Sequence, residues 1–310
     1  MLHPTIARAT AFALLMLAAV VGTAHAACTV QARGSVTFAL IANRVIVPLT
    51  VNGINAAFVL DTGAERTLVT PEAVQRLGLA SDKWVGTTMS GVGGIVEHPN
   101  ADPRSLSLGG VKLHRRTVSH DTSLTVGAMP GLAPDGMVLD GLLGRDFLSA
   151  FDLQLDMPAH RLTVFDVSGC SGRFLPWAGP YAALSAEMPM TQAMVVPIAV
   201  DGQPLRALLD TGATSSLIVA PGMFRLGLTP ALLARDPGAT MTGIGPQSPA
   251  MHRHRFASLR IGPEVQRDPW LWVASVHVVP IVDALLGEDW VAAQRRVWIS
   301  FATGQVFFER

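Results

Sequence analysis

Two short acidic motifs have the residue types and spacing to do chemistry: Asp61-Thr62-Gly63 and Asp210-Thr211-Gly212. Each ends an apolar run, Phe58-Val59-Leu60 in one case and Ala207-Leu208-Leu209 in the other. Such a run reads as a buried strand, and a glycine just past Asp-Thr lets the chain turn where a Cβ would clash. A carboxylate is thereby presented at a strand end. A single Asp-Thr-Gly arises by chance in about one chain in twenty of this size and reads as a turn whose Asp caps its own backbone. Two copies in matching contexts are much stronger evidence of a shared role.

Two carboxyls brought together can hydrolyse an amide without a metal or a covalent nucleophile. At about 3 Å they cannot both ionise cheaply, so they share one proton and titrate with separated apparent pKa values. The charged member takes a proton from water while the protonated member donates to the carbonyl oxygen. Asp61 and Asp210 are the candidate catalytic residues. The residue types alone leave open which of them starts as base.

The elements that must position them occur twice. Val45 to Gly53 and Met194 to Gly202 each read as a strand running into an Asn-Gly or Asp-Gly turn, the strongest short hairpin signal. The returning strand of each hairpin runs into Asp-Thr-Gly. The copies keep one offset, 210 − 61 = 194 − 45 = 149, which persists to Arg76-Leu77-Gly78-Leu79 against Arg225-Leu226-Gly227-Leu228. The chain is an internal duplication. Next come Gly91-Val92-Gly93 and Gly243-Ile244-Gly245, glycine pairs that suit the tips of mobile hairpins, with plain surface turns as the alternative. Alternating stretches at Leu106 to Val118 and Leu259 to Val276 read as further strands. Each copy closes on a matched block, Asp140 to Leu148 and Asp283 to Val291, in which an apolar pair runs into Gly144 or Gly287 and then a short helix. Final strands are expected near Leu162 to Phe165 and Gln305 to Phe308.

These features together resemble the retropepsin-like aspartic proteases. Each half carries an apolar run into Asp-Thr-Gly-Ala, a Gly-rich flap candidate and an apolar-apolar-Gly block. The resemblance implies an all-β fold of two acid-protease β-barrel halves with short helices, related by an approximate twofold axis at which Asp61 and Asp210 meet. It implies that Thr62 and Thr211 hydrogen-bond across the axis, that Gly63 and Gly212 shape the two loops, and that Gly144 and Gly287 end strands packed beneath them. Both halves lie on one chain, as in the pepsins, but the flap lacks the Tyr expected there. The only tyrosine is Tyr181. The expected function is an aspartic endopeptidase acting on polypeptides, as a monomer and without cofactor or metal. An exported peptide-binding module with the same fold and no turnover is the alternative. The halves diverge where Glu65-Arg66-Thr67 becomes Thr214-Ser215-Ser216 and Arg145 becomes Glu288, so an asymmetric cleft is expected.

Bulk properties set the remaining bounds. Lys plus Arg and Asp plus Glu both number 23, with no basic cluster, so there is no electrostatic footprint for nucleic acid. Residues 1–26, with Arg8, the apolar stretch Ala11 to Val21 and Ala24-His25-Ala26, read as a signal peptide cleaved after Ala26, against a retained anchor. No later segment is long and apolar enough to span a bilayer. Export to the periplasm or beyond is expected. The proposed parts are 27–166 and 191–310 as two halves and 167–190 as the linker. Cys28 and Cys170 are the only cysteines, and an oxidising compartment favours their pairing over two free thiols. His252 and His254 share one face of a strand, but without further ligands they read as a polar face rather than a metal site.

Overall fold

The computed structural model describes residues 27–115, 122–129, 136–189 and 191–310. The expected signal peptide lies outside these residues, as do positions 116–118 of one expected strand. The fold is mostly β with short helices, in three sheets. Two of them repeat one plan, and the third joins the halves.

In the first half, Arg44–Val51 and Ile54–Leu60 form the expected hairpin. Asn52 and Gly53 at its turn both have positive φ, at 51° and 82°, the geometry for which Asn-Gly is suited. Ile54–Leu60 then lies parallel to Gly141–Leu143, whose other neighbour is the antiparallel pair Leu68–Val69. Phe58, Val59 and Leu60 are buried because this strand is central and covered on both faces, which explains the continuous apolar run. The loop from Asp61 to Thr67 joins Ile54–Leu60 to Leu68–Val69, which lie on either side of Gly141–Leu143. In the second half, Gln203–Leu209, Ala284–Leu286 and Leu217–Ile218 repeat these pairings. Two further matched ties brace each copy. Asp140 accepts from Ala57 N at 2.8 Å and pairs with Arg76 at 2.6 Å; Asp283 accepts from Arg206 N at 2.9 Å and pairs with Arg225 at 2.8 Å.

The alternating stretches break into short strands, Leu106–Leu108 and Val111–Lys112 in one half, and Ser258–Ile261, Glu264–Arg267 and Trp270–Val273 in the other. The third sheet has six strands, taken in spatial order from Thr29–Thr37 through Arg161–Ser168, Asp152–Asp156, Arg296–Ser300 and Gln305–Glu309 to Ala182–Ser185. Its central pairing, Asp152–Asp156 against Arg296–Ser300, crosses between the halves. Buried Asp152 reinforces that crossing by accepting from Trp298 Nε1 and Ala302 N, both at 3.0 Å. Residues 169–189 lie against this sheet and contribute its strand Ala182–Ser185. Leu175, Trp177 and Tyr181 pack over Trp298 and Phe307, so the lone tyrosine sits in that apolar cluster.

Cys28 and Cys170 form a disulfide that closes a span of 142 residues between the start of the described chain and the 167–190 segment. Cross-links over long spans mainly restrict the unfolded chain, with typical contributions of about 2–4 kcal/mol. A Cys28→Ser/Cys170→Ser variant should therefore melt several degrees below the parent in thermal unfolding, with its circular dichroism at low temperature unchanged.

Candidate active site

Both Asp-Thr-Gly loops meet at the pseudo-twofold axis. Thr62 and Thr211 are fully buried there, and each threonine does for the other half what its partner does in return. Thr62 N donates to Thr211 Oγ1 at 3.0 Å, and Thr211 N donates to Thr62 Oγ1 at 3.1 Å. The hydroxyls in turn donate across the axis, Thr62 Oγ1 to Leu209 O at 2.8 Å and Thr211 Oγ1 to Leu60 O at 2.7 Å. Four buried polar groups are thus satisfied only by the opposite half.

This network sets Asp61 and Asp210 side by side, within hydrogen-bonding reach of one another. Gly63 and Gly212 permit the approach: a Cβ on either would land on the opposing carboxyl group. Backbone amides fix each carboxyl from its own side. Ala64 N donates to Asp61 Oδ1 at 2.8 Å, while Gly212 N and Ala213 N donate to Asp210 Oδ1 at 3.0 and 3.1 Å.

A second tier supports the loops. Asp146 accepts from Thr67 N at 3.0 Å and Thr67 Oγ1 at 2.6 Å, and that hydroxyl accepts from Gly144 N at 2.9 Å. In the other half Asp289, Ser216 and Gly287 repeat the arrangement at 2.9, 2.7 and 3.0 Å. Gly144 and Gly287 pack so closely under the loops that a Cβ would meet the backbone of Arg66 or Ser215 at 2.7 Å. Asp146 and Asp289 were not singled out in the sequence, although Thr67 and Ser216 across from two matched Asp residues carried the signal.

Arg145 and Glu288 each follow the glycine of this tier and are both buried. The Arg145 guanidinium donates to Thr62 O at 3.0 Å and to Gly63 O. Glu288 has no hydrogen-bond partner for either carboxyl oxygen.

Burial pushes the Asp61 carboxyl up from the ordinary range, against its amide donors and Arg145. Asp210 is pushed up to about 7, first by burial and then by the charge of Asp61. Burial, with Asp289 and Asp210 nearby, pushes Glu288 up to about 9.

Above the dyad lies a cleft of about 1160 Å³, lined by both halves. Its roof is made by the two Gly-rich segments. The first is a hairpin tip between strands Ala80–Gly91 and Gly94–Asp102; the second is a longer loop between Gly238–Thr240 and Ala250–Arg255. The tips interlock, Gly93 N donating to Ile244 O at 2.9 Å and Gln247 N to Gly93 O at 3.0 Å. A Cβ at Gly91 would meet Ile244 O at 2.6 Å, and one at Gly243 would strike the Val92 side chain. The walls differ, with Arg66, Asn100 and Asp102 on the first-half side and Leu217, Met241 and Trp272 on the second. His254 pairs with Asp236 at 2.6 Å and stands T-shaped against Phe256. No cluster of His, Cys, Asp and Glu suited to a metal occurs among the described residues.

Two copies of one loop, each giving a carboxyl to a shared centre in a β fold, define an aspartic protease architecture. The aspartyl protease family matches residues 47–147 and again 196–290, and the chain belongs to that family. Among solved structures it is similar to the aspartic proteinase from Irpex lacteus, at 10% identity and a TM-score of 0.49, covering 91% of this chain and 97% of that one. No curated protein matches the sequence.

Two outcomes follow from this geometry. Thr62→Val removes a hydroxyl that serves two buried groups of the opposite half, so it should lower stability in chemical denaturation by about 2–3 kcal/mol, with Thr62→Ser much closer to the parent. For Glu288 the folded pKa lies above the unfolded value. The parent therefore loses stability as pH rises from about 4.5 towards 9, where the unfolded chain releases a proton that the folded one keeps. Glu288→Gln removes that dependence. Its stability relative to the parent should grow with pH, reaching a pH-dependent gain of about 3 kcal/mol between pH 4 and 7.

Proposed function

We propose that this chain is an aspartic endopeptidase, in which Asp61 and Asp210 activate a water molecule against the peptide bonds of polypeptides. The observation that carries the reading is the pair of adjacent, buried carboxyls, one from each half, at the floor of a cleft between them. Burial and mutual repulsion keep one proton on the pair through the acidic to neutral range, so a base and an acid are present together. The charged carboxylate takes a proton from water as the water oxygen bonds to the carbonyl carbon, and the protonated carboxyl donates to the carbonyl oxygen. Collapse of the tetrahedral diol breaks the C–N bond as the carboxyl that took water's proton gives it to the departing nitrogen and the other carboxylate takes back a proton from a diol hydroxyl, which restores the dyad. Thr62, Gly63, Thr211 and Gly212 shape the loops, and the two glycines also line the cleft.

An extended polypeptide suits the cleft. Its backbone can pair with the roof strands as an added strand does, and the Gly-Val-Gly and Gly-Ile-Gly tips leave room for that approach. Substrate entry requires the two backbone bonds between the tips to open, so Gly91 to Gly93 and Gly243 to Gly245 act as paired flaps. The unequal walls support different side-chain preferences on the two sides of the scissile bond. We take 27–166 and 191–310 as the two halves, joined by 167–190 and working as one monomeric unit. The Cys28–Cys170 disulfide supports export to an oxidising compartment, in line with the character of residues 1–26. Among the described residues no helix is long and apolar enough to cross a membrane.

Residues 27–310 should cleave members of a complex peptide library between about pH 3 and 8, read by mass spectrometry, with a bell-shaped pH dependence. Asp61→Asn and Asp210→Asn should each lower turnover by at least about a thousandfold. A folded parent that retains peptides but cuts none would replace this reading with that of a binding module.

A further inference from the structure

The two halves repeat each other around the dyad, and one exchange of charge lies buried directly behind the loops. Arg145 and Glu288 occupy the same place: Arg145 N donates to Ala64 O at 2.9 Å, and Glu288 N to Ala213 O at 2.8 Å. Each opens a short helix after Gly144 or Gly287. Arg145 is 2% exposed and Glu288 0%. The guanidinium is held behind the Asp61 loop by the carbonyls of Thr62 and Gly63, and by Thr191 O at 3.2 Å. The matching place behind the Asp210 loop holds a carboxyl whose oxygens have no hydrogen-bond partner.

We propose that this buried exchange between the repeats polarises the dyad, with Arg145 holding the negative charge on Asp61 so that Asp61 is the general base and Asp210 the general acid. The proposal rests on the hydrolytic-dyad reading above. In it Arg145 and Glu288 are positioning residues, acting through the aspartates.

The loops around the two aspartates otherwise share one backbone plan, while the first half also carries Glu65 and Arg66 where the second has Thr214 and Ser215. Backbone amides serve both carboxyls, that of Ala64 for Asp61 and those of Gly212 and Ala213 for Asp210. Charged and titratable groups facing Asp61 are Arg145 and Asp210; those facing Asp210 are Asp61, Arg145 and Glu288. Glu288 itself faces Asp289 and Asp210, and Arg145 faces Asp61, Glu65, Asp210 and Asp146. Arg145 is the one cation in this set, and its hydrogen bonds place it on the Asp61 side. A guanidinium keeps its proton at any working pH, so the bias persists. A buried carboxyl without partners stays neutral, because ionising it would leave an unpaired charge out of water. Were Glu288 to ionise, its charge would favour the proton on Asp210 still more, so neither of its states opposes the bias.

Asp61→Asn and Asp210→Asn, each labelled with 13C at aspartate, leave one carboxyl at the centre whose titration NMR can follow without any substrate. Lone Asp61 in the Asp210→Asn protein should titrate at least about one unit below lone Asp210 in the Asp61→Asn protein, a tenfold difference in protonation ratio. Arg145→Met in the Asp210→Asn background should raise lone Asp61 to near the value of lone Asp210, and Arg145→Lys should largely preserve the gap. Equal or reversed values for the two lone aspartates would overturn the proposal, and that comparison stands if Arg145→Met does not fold. In the parent, two independent rather than coupled titrations would instead overturn the dyad reading.

Discussion

Two buried hydroxyls, those of Thr62 and Thr211, each accept an amide proton from the opposite half and donate to a carbonyl there. Neither half can satisfy these groups alone, and an unmet buried donor or acceptor costs about 1–3 kcal/mol. The halves are therefore locked in one relative position at the point where the carboxyls stand. Everything specific to the site follows from that lock. Glycine is required at positions 63 and 212 because each faces the opposing carboxyl, and burial beside the charge of Asp61 pushes Asp210 up to about 7.

Support for the lock comes from below and from behind. Asp146 and Asp289 hold Thr67 and Ser216, which in turn tether the glycines ending the strands under each loop. Behind them the six-stranded sheet takes strands from both halves, and Asp152 ties it together through Trp298. Because the loops hang from central strands, a shift of one half would have to slide this sheet as well. The roof is held differently, by two backbone hydrogen bonds between glycine-rich tips. Val92 and Ile244 of the two tips also pack against apolar clusters beneath them.

The repeated elements were legible in the sequence because their causes are local. Asn52-Gly53 and Asp201-Gly202 need positive φ, a buried central strand needs an unbroken apolar run, and a glycine pressed on backbone needs to be glycine. The duplication supplied the rest by showing each signal twice. The six-stranded sheet was not legible as a unit, since its pairings join residues such as Leu155 and Val297 that no local pattern connects. Strand Ala182–Ser185 was hidden for the same reason: it lies in a Gly- and Ala-rich stretch and exists through its pairing with Gln305–Glu309. The exchange of Arg145 for Glu288 was visible as a change of charge, but only burial and the Thr62 and Gly63 carbonyls show where that charge acts.

The central claim is that one chain, through its two halves, builds one centre. Mixing purified Asp61→Asn with Asp210→Asn and measuring peptide cleavage tests it directly. Each chain then lacks one carboxyl, and the account predicts that the mixture stays as inactive as its components at every concentration. Recovery of activity on mixing, rising with protein concentration, would show that carboxyls from different chains meet, and would contradict a centre built within a single chain.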